Sequence, residues 1–434
     1  MSTIAVVGAG HVGIVYAAGF AELGHRVRVV DIDRKRVAAL RKGNIWFFEP
    51  GLPELLARQV RRHRILFTTD HREAFKGAEF VFVCVPTPST GDGSLDDTYL
   101  RAAFRDIRAN ADNPPPIVVN KSTVPVGTGD AREEIFEDAR FRVVSNPEFL
   151  AEGRAVDDFF RPSRIVIGSR DNDAANKVAA LYAPLRAPVV HTDPVTAELT
   201  KLASNAFLAT KVSFTNALSR IGEAVGADGD DLVRALSLDP RIGAGHLRPG
   251  LGYGGSCLPK DLAAMEHMAR RFAAAPELFA AVAAVNRSQR ARLVDMLVSR
   301  FGSLSGKRIA VLGATFKANT DDLRESPAVA LAGDLQQLHA DVVIYDPVAP
   351  RPSVKKRANG GRLSYARTPL AAMRAADAVV IATDWPEFGT LDLPSVRRAM
   401  RVPVMIDGRG IVDKGLAARA GFEVFTLDGA RPPG

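Results

Sequence analysis

The sequence predicts an α/β protein with two doubly wound parallel-sheet domains, joined by a central helical domain that contains one long spine helix. Three observations lead to this prediction. A strand, a glycine-rich turn and a helix open the chain, the same order of elements recurs near its end, and a long stretch between them has few helix breakers. Because 434 residues exceed one core of typical size, we expect three domains, at 1–195, 196–300 and 301–434.

Composition places the chain among ordinary globular proteins. It is 47% hydrophobic and 24% charged, and no apolar run is long enough to span a bilayer. The net charge of +8 includes basic runs at 61–64, 270–271 and 355–357, which are short, far apart and not interleaved with aromatic residues. We therefore expect no nucleic-acid partner and no membrane, and the excess charge can steer an anionic substrate. The start of the chain lacks signal-peptide features, which predicts a cytoplasmic location.

The first strand runs into Gly8, Gly10 and Gly13, the spacing of a dinucleotide-binding turn. Gly8 would turn the chain tightly, Gly10 would let the backbone approach a pyrophosphate, and Gly13 would let helix and strand pack closely. A helix over 12–23 and a second strand that ends at Asp31 complete a Rossmann-like unit. Since a carboxylate there accepts from a ribose 2′-hydroxyl and repels a 2′-phosphate, the sequence predicts NAD rather than NADP.

Two further strands of this domain end in a threonine closely followed by a proline, at Thr87 and Thr123. Ligands of an open parallel sheet lie outside the carboxyl ends of its strands, so both threonines would face the cofactor. Turn formation alone is the alternative. Cys84 lies inside an apolar strand and is predicted to belong to the core.

A strand over 141–145 leads into a segment rich in functional side chains. Asn146 can cap a helix and Pro147 suits its first turn, which would place Glu148 and Glu152 four residues apart on one face. Two acids beside a cofactor can position water. The alternative is a solvated first turn, where acids are favoured by the helix dipole.

The middle of the chain is predicted to form one long helix from 196 to about 225, followed by another around 276–301. Lys201 and Asn205 stand four residues apart and share a face of the long helix. Its apolar face is a candidate dimer surface.

Cys257 stands at a glycine-rich entry to a predicted helix, with Lys260 and Asp261 close by. A helix N-terminus or a nearby cation lowers the pKa of a thiol, and Pro259 suits a first helical turn. We therefore predict a reactive thiolate at Cys257; a small apolar filler is the alternative. With Cys84 as the other cysteine, no disulfide framework is expected, and no metal site is predicted.

The last domain repeats the first. The strand before Gly313 and the strand that ends at Asp346 echo the first two strands of the chain. The three spaced glycines do not recur, so no second NAD is expected. Lys317, Arg324 and Arg409 instead offer charge to a phosphate or a sugar nucleotide.

These motifs, in this order, resemble the nucleotide-sugar 6-dehydrogenases of the UDP-glucose/GDP-mannose dehydrogenase family over nearly the whole chain. They are the glycine-rich turn, 85–88 (VPTP), 121–128 (KSTVPVGT), 146–153 (NPEFLAEG), 201–205 (KLASN), 239–243 (DPRIG), 252–261 (GYGGSCLPKD) and 316–327 (FKANTDDLRESP). The segments at 239–243 and 252–255 resemble members that act on UDP-glucose more than members that act on GDP-mannose.

The resemblance implies two successive oxidations at the sugar C6, from alcohol to aldehyde to acid, which turn UDP-glucose into UDP-glucuronate and consume two NAD and one water. Cys257 would attack the aldehyde and form a thiohemiacetal and then a thioester. Lys201, assisted by Asn205, would stabilise the oxyanion, and Asp261 would position or deprotonate water. The implied catalytic set is Cys257, Lys201, Asn205, Asp261, Glu148 and Thr123.

The resemblance also implies binding residues. The cofactor contacts would be Gly8, Gly10, Val12, Gly13, Asp31, Arg36, Thr87, Thr123, Glu152, Lys260 and Arg324. The substrate contacts would be Glu148, Phe149, Leu150, Glu152, Lys201, Asn205, Arg241, His246, Leu247, Arg248, Pro249, Gly250, Gly254, Lys317 and Arg409. Arg241 would reach the substrate of the neighbouring subunit, which implies a homodimer or a higher homo-oligomer.

Two positions depart from the family pattern. His246 stands where an aromatic residue is commoner, and Gly410 follows Arg409 where the family often has asparagine. The same chemistry on dTDP-glucose or another nucleotide hexose is therefore an alternative. Two other classes are also open: a single-step dehydrogenase of the hydroxyacyl type, which would need no Cys257, and a non-catalytic nucleotide sensor.

Overall fold

The computed structural model describes residues 1–131, 136, 138, 140–349 and 361–428, and the basic run at 355–357 lies outside them. Contacts within the chain divide it into two units, Met1–Ser204 and Asn205–Gly434. The finer division into three domains stays a prediction.

The first unit is built on an eight-stranded sheet in the order β3-β2-β1-β4-β5-β6-β7-β8. The strands are β1 (Thr3–Val7), β2 (Arg26–Val30), β3 (Ile65–Thr68), β4 (Phe80–Val83), β5 (Ile117–Asn120), β6 (Arg142–Ser145), β7 (Ile165–Gly168) and β8 (Val189–Thr192). The first six follow the strand order of doubly wound dinucleotide folds. Their described pairs are parallel, whereas β6 and β7 meet antiparallel at Ser145 and Gly168. The predicted parallel sheet is confirmed, with an antiparallel joint that the sequence did not predict.

Helices cover both faces of this sheet, because successive side chains of β1 point to opposite faces. Ile4 and Val6 belong to one core cluster and Ala5 and Val7 to the other. Among the described residues of the unit, the helices are His11–Glu22, Arg34–Leu40, Leu52–Arg61, His71–Phe75, Thr98–Asn110, Ala155–Phe160 and Asn172–Leu181, and a 3-10 turn covers Ala183–Leu185.

The helix Pro194–Val225 begins in the first unit and continues in the second. Further helices of the second unit are Gly229–Ser237, Leu258–Arg271 and Glu277–Phe301. The predicted helices over 196–225 and 276–301 are therefore confirmed to within two residues. The long helix exposes several large apolar side chains, among them Phe207 and Phe214.

A six-stranded parallel sheet in the order β11-β10-β9-β12-β13-β14 completes the second unit. Its strands are β9 (Arg308–Leu312), β10 (Asp341–Tyr345), β11 (Leu363–Tyr365), β12 (Ala378–Ile381), β13 (Val404–Asp407) and β14 (Glu423–Thr426). Its helices are Pro327–Gln337, Pro369–Met373, Pro386–Gly389, Leu393–Ala399 and Lys414–Arg419. This order matches the first six strands of the chain, so the predicted repeat is confirmed.

The repeat extends to the first turn of each half. Gly8 has a φ of 97° and Gly313 a φ of 98°, in the region that favours glycine. Asp31 accepts a hydrogen bond from the backbone N–H of Ala9 at 2.7 Å, and Asp346 accepts one from Ala314, also at 2.7 Å. An aspartate at the equivalent position therefore anchors the first loop of each sheet.

The segment 146–154 is not a helix, so the prediction that Glu148 and Glu152 share a helical face is wrong. Side chains satisfy the backbone N–H groups that a helix would pair internally. Glu148 accepts from Leu150 at 2.7 Å, and Asp158 accepts from Ala151 at 2.8 Å. Asn146 does not cap a helix; its side-chain amide donates to a strand carbonyl instead.

Within the part of the chain that the structure describes, no helix combines the length and the apolar character needed to cross a bilayer.

Candidate active site

The glycine turn after β1 has the geometry that its sequence predicts. A Cβ atom on Gly8 would lie 2.5 Å from the carbonyl oxygen of Cys84, and one on Gly13 would lie 2.0 Å from that of Gly8. Neither distance is sterically possible, so both positions require glycine. A Cβ on Gly10 would meet nothing within 4 Å. The backbone at Gly10 therefore borders open space, where a ligand can approach it.

The helix His11–Glu22 starts at Gly10 without a side-chain cap. Its first N–H groups are therefore available to an anion, and the helix dipole favours negative charge there. Asp31 directly follows the neighbouring strand β2, and its carboxylate accepts from the backbone N–H groups of Ala9 at 2.7 Å and Asp33 at 2.8 Å. Each carboxylate oxygen can accept a further bond, for instance from a ribose hydroxyl. The turn and this acid fit the pyrophosphate and ribose of NAD.

The other predicted cofactor residues of the first unit lie along this end of the sheet or on the turns beside it. Thr87 is buried and follows β4, whereas Thr123 and Glu152 are half-buried. Val12 is half-buried in the first turn of the helix. The exposed Arg36 guanidinium lies 5.0 Å from the Trp46 ring centroid, and its Nε lies 3.4 Å from a carboxylate oxygen of Asp33.

Ser122 joins the loops that follow β4 and β5. Its hydroxyl donates to the carbonyl of Val85 at 2.8 Å and accepts from the N–H of the same residue at 2.9 Å. Glu198 holds the next part of the second loop, since it accepts from the N–H groups of Gly127 and Gly129 at 2.7 and 2.8 Å. Burial raises the pKa of Glu198 despite these bonds. Sequence reasoning missed both contributions.

Glu148 and Lys201 form a buried ion pair in the first unit. The Lys201 Nζ lies 2.7 Å from Glu148 Oε1, and the other carboxylate oxygen accepts from the Leu150 N–H. Burial acts to raise the pKa of Glu148, but the Lys201 charge and these hydrogen bonds outweigh it and hold that pKa below its usual value. The acid therefore stays ionised beside the lysine. The structure thus brings together two residues of the implied catalytic set.

Glu49 fixes the turn that carries Glu152. It is buried, and its two oxygens accept from the N–H groups of Gly153 at 2.7 Å and Ala155 at 2.8 Å, while His11 contacts it at 2.7 Å. Phe149 lies in the same segment, and its ring centroid is 3.9 Å from Cζ of the Arg164 guanidinium. No local sequence pattern marks Glu49, because its backbone partners are 104 and 106 residues away.

Cys257 occupies the N-cap position of the helix Leu258–Arg271 and is half-buried. Its Sγ lies 3.5 Å from the Ser256 hydroxyl, and Pro259 occupies the first turn. The thiol therefore stands at the positive end of a helix dipole, an environment that stabilises a thiolate.

A polar cluster lies one turn along that helix. The Asp261 carboxylate is 1% exposed and accepts from Asn205 Nδ2 at 2.6 Å and from Lys260 Nζ at 2.6 Å. The Asp261 N–H donates to the Cys257 carbonyl at 2.9 Å. Within the second unit, the structure thus brings Asn205, Lys260 and Asp261 together next to the thiol residue.

The predicted substrate loop is fixed at its end. The Gly250 N–H donates to the buried Asn216 side chain at 2.8 Å, and a Cβ on Gly250 would lie 2.9 Å from a neighbouring carbonyl. Leu247 and Pro249 are buried and Arg248 is exposed, while the exposed His246 has a φ of 63°. The loop is therefore held by the buried Leu247 and Pro249 and by the backbone at Gly250, while His246 and Arg248 are exposed.

Arg409 joins three segments of the second unit. Its guanidinium donates to the carbonyls of Ala382 at 2.7 Å, Gly252 at 3.1 Å and Phe316 at 3.4 Å. A Cβ on Gly254 would lie 2.1 Å from the Glu325 carbonyl, so these loops touch closely. The predicted substrate residues around Gly254 and Arg409 are therefore brought together.

Two predicted arginines instead bind carboxylates of their own loops. Arg241 pairs with Asp239 and Arg324 with Asp322, each at 2.6 Å. The Arg241 side chain is 88% exposed. Lys317 Nζ lies 5.5 Å from the centroid of the adjacent phenylalanine ring.

Among the residues with described positions, no group of three or more His, Cys, Asp or Glu is arranged to hold a metal ion.

Three domain models of the UDP-glucose/GDP-mannose dehydrogenase family match the chain. They are the NAD binding domain over residues 2–186, the central domain over 195–288 and the UDP binding domain over 310–414. The chain belongs to this family. Its cofactor is NAD, as the sequence predicted, and its substrate is a nucleotide sugar that it oxidises.

Relatives match over almost their whole length. A UDP-glucose 6-dehydrogenase of Rhizobium meliloti is 44% identical, with 98% of this chain and 99% of the relative covered. UDP-glucose 6-dehydrogenase TuaD of Bacillus subtilis is 41% identical, with 97% and 92% covered. Among solved structures, a UDP-glucose dehydrogenase of Pyrobaculum islandicum is 37% identical, with 99% and 98% covered and a TM-score of 0.88.

Proposed function

We propose that the chain oxidises UDP-glucose at C6 to UDP-glucuronate, using two NAD and one water, through a covalent bond to Cys257. The observation that carries this proposal is the half-buried thiol at a helix N-terminus, next to the cluster of Asn205, Lys260 and Asp261. Relatives of this family at 41% and 44% identity are UDP-glucose 6-dehydrogenases.

A covalent adduct answers a chemical problem. When bound, NAD supplies the hydride acceptor for both oxidations. An aldehyde has no alkoxide from which hydride can leave, so the Cys257 thiolate adds to C6 and forms a new S–C bond and an oxyanion. Oxidation of this thiohemiacetal gives a thioester. Water then attacks the thioester carbon, the C–S bond breaks, and the acid and the free thiolate are released.

The polar residues divide this work. Lys201 would stabilise the oxyanion, and Glu148, held 2.7 Å away, would keep its ammonium oriented. Asn205 and Lys260 hold the Asp261 carboxylate, which keeps further acceptor positions for an attacking water. Asp261 would therefore position or deprotonate water, with Thr123 in the same network.

The proposal includes a homo-oligomer in which Arg241 reaches the substrate of a neighbouring subunit. Lys211 supports this arrangement, because its Nζ donates to the carbonyls of Ile242 and Gly243 at 3.1 Å and so anchors the loop that presents the exposed arginine. The cytoplasmic location stays a prediction.

Substrate and stoichiometry can be tested together. Purified protein would be incubated with NAD and equal amounts of UDP-glucose, dTDP-glucose or GDP-mannose, and NADH formed per sugar consumed would be counted. We expect two NADH per UDP-glucose. One NADH per sugar would instead indicate a single-step dehydrogenase, and a faster reaction with dTDP-glucose would favour the alternative substrate.

The covalent step is tested by Cys257→Ala. Without the thiol, acid formation should fall by at least about 1000-fold, because no adduct can form, while NAD binding measured by calorimetry should stay unchanged. Cys84→Ala is the matched control, since burial raises the pKa of Cys84 to about 12 and leaves that thiol inert. Undiminished acid formation by Cys257→Ala would refute the covalent mechanism.

A further inference from the structure

Lys121 is a buried lysine that the proposed reaction does not use. Its residue is 2% exposed, and the ion pairs among the described residues include none at its ammonium group. Burying an amine costs free energy unless its hydrogen bonds are satisfied, and a methionine would fill similar space at a lower cost. What the lysine adds to this position is therefore the ability to donate hydrogen bonds.

The amine contacts polar and aromatic groups on three sides. Its Nζ donates to Asn146 Oδ1 at 3.1 Å and to the Tyr182 hydroxyl at 3.5 Å. The Tyr182 hydroxyl donates to the same Asn146 oxygen at 2.6 Å. The face of the Tyr16 ring lies 3.9 Å from Nζ, a placement that stabilises an ammonium. Lys121 and Tyr182 together thus fix one oxygen of Asn146.

Asn146 in turn connects three strands. Its backbone N–H donates to the carbonyl of Asn120, the last residue of β5, at 2.9 Å. Its side-chain amide donates to the carbonyl of Val166 in β7 at 2.7 Å. Since Asn146 directly follows β6, the bond from Lys121 completes a joint between the ends of β5 and β6 and the body of β7.

Two proposed catalytic residues follow this joint closely. Thr123 stands two residues after Lys121, and Glu148 stands two residues after Asn146. A bond at the base of two loops fixes the distance and the angle at which the loops leave the sheet. Misplacement of a reacting group by 1 Å can cost about 100-fold in rate, so this bond can matter without any contact to substrate.

We propose that Lys121 is a positioning residue that, through Asn146 and Tyr182, sets the placement of Thr123 and Glu148 for the oxidation. It touches neither the sugar nor the nicotinamide. The inference rests on the proposed function, because the roles of Thr123 and Glu148 do.

Lys121→Met keeps the length of the side chain and removes its donors. We expect kcat with UDP-glucose to fall about 10- to 100-fold while KM for NAD changes less than about twofold. Thr123 is one of many expected cofactor contacts, and the others, among them the glycine turn and Asp31, do not depend on this amine. Lys177→Met, which changes an exposed lysine paired with Asp173, is the control and should keep both constants. A folded Lys121→Met protein with wild-type kcat would overturn the proposal.

Tyr182→Phe provides a second variant in case Lys121→Met does not fold. This variant removes the Tyr182 hydroxyl, which is the second donor to Asn146 Oδ1, and leaves the ring in place. We expect a fall in kcat of about 3- to 10-fold with an unchanged KM for NAD. Wild-type kcat in this variant would contradict the joint that Lys121 and Tyr182 are proposed to form.

Amide hydrogen exchange separates this inference from the proposed function. In Lys121→Met, exchange in 121–128 and 146–153 should rise about tenfold or more, while β9 to β14 should exchange as in the wild type. If the wild type does not oxidise UDP-glucose, the proposed function fails, yet faster local exchange still supports positioning. Unchanged exchange in these two segments would overturn positioning, whatever the substrate.

Discussion

At the scale of single residues, the buried Lys121 makes the free energy of unfolding depend on pH. Burial, together with the nearby Lys201 charge, lowers the pKa of Lys121 from 10.5 to about 7, although Cys84 and Glu148 act to raise it. Between these two values the unfolded chain carries a proton on this amine that the folded chain lacks. Stability therefore rises with pH across this window, and below it both states are protonated and the full cost of burying the charge remains.

We expect the free energy of unfolding of the wild type, relative to Lys121→Met, to rise by on the order of a few kcal/mol between about pH 7 and pH 10. Urea titrations at several pH values would measure this difference. Lys177→Met should follow the pH dependence of the wild type, because its amine is exposed. A difference between wild type and Lys121→Met that does not change with pH would show that the amine keeps an ordinary pKa.

At the scale of elements, the segment 146–154 depends on carboxylates that replace a helical hydrogen-bond pattern. In the wild type, the two Glu49 oxygens accept from the N–H groups of Gly153 and Ala155. Glu49→Gln replaces one of these oxygens with an NH2 group, which cannot accept, so one N–H group loses its partner. We expect the free energy of unfolding to fall by about 1–3 kcal/mol, the usual effect of leaving buried donors unsatisfied. Denaturant titration checks this, with the exposed Glu54→Gln as control. Equal losses in both variants would mean that Glu49 does not hold the turn.

The same segment shows where prediction from sequence fails. Helices such as Glu277–Phe301 were predicted because their apolar periodicity is local. The pattern at 146–153 looks like a capped first turn, but Asn146, Glu49 and Asp158 form longer-range hydrogen bonds that favour an extended path. The antiparallel β6–β7 contact was also missed, since short buried strands carry no sign of direction.

The candidate site was predictable where a motif marks it. Cys257, with its place just before a helix, follows from the glycines and the proline around it. Glu49, Glu198 and Lys121 could not be given a role, because a buried polar residue acquires one from partners far along the chain. Supporting residues are therefore visible only once the chain is folded.

At the scale of the whole molecule, the helix Pro194–Val225 indicates how copies of the chain would associate. Phe207, Phe214 and Ile221 recur every seven residues and are 64%, 56% and 60% exposed. Residues at this spacing lie on one face of a helix, and an exposed apolar stripe of this kind is unusual for a monomer. This surface agrees with the proposed homo-oligomer.

Introducing charge into the stripe tests this association. Phe207→Glu combined with Phe214→Glu should lower the mass measured by sedimentation to that of one chain, because two carboxylates cannot be buried unpaired in an interface. Phe272→Glu, at a 68% exposed phenylalanine outside the stripe, is the control. An unchanged mass in the double variant would place the interface elsewhere.

The three carbonyl bonds of Arg409 have a mechanical consequence. One rigid, planar cation ties the loops at Gly252 and Phe316 to the end of β12, so none of them can shift without straining bonds to the other two. Movement in this corner is therefore collective. A ligand that displaces one of these loops must move all three. A ligand that contacts a single loop therefore meets high resistance, whereas one that contacts every loop can shift them together.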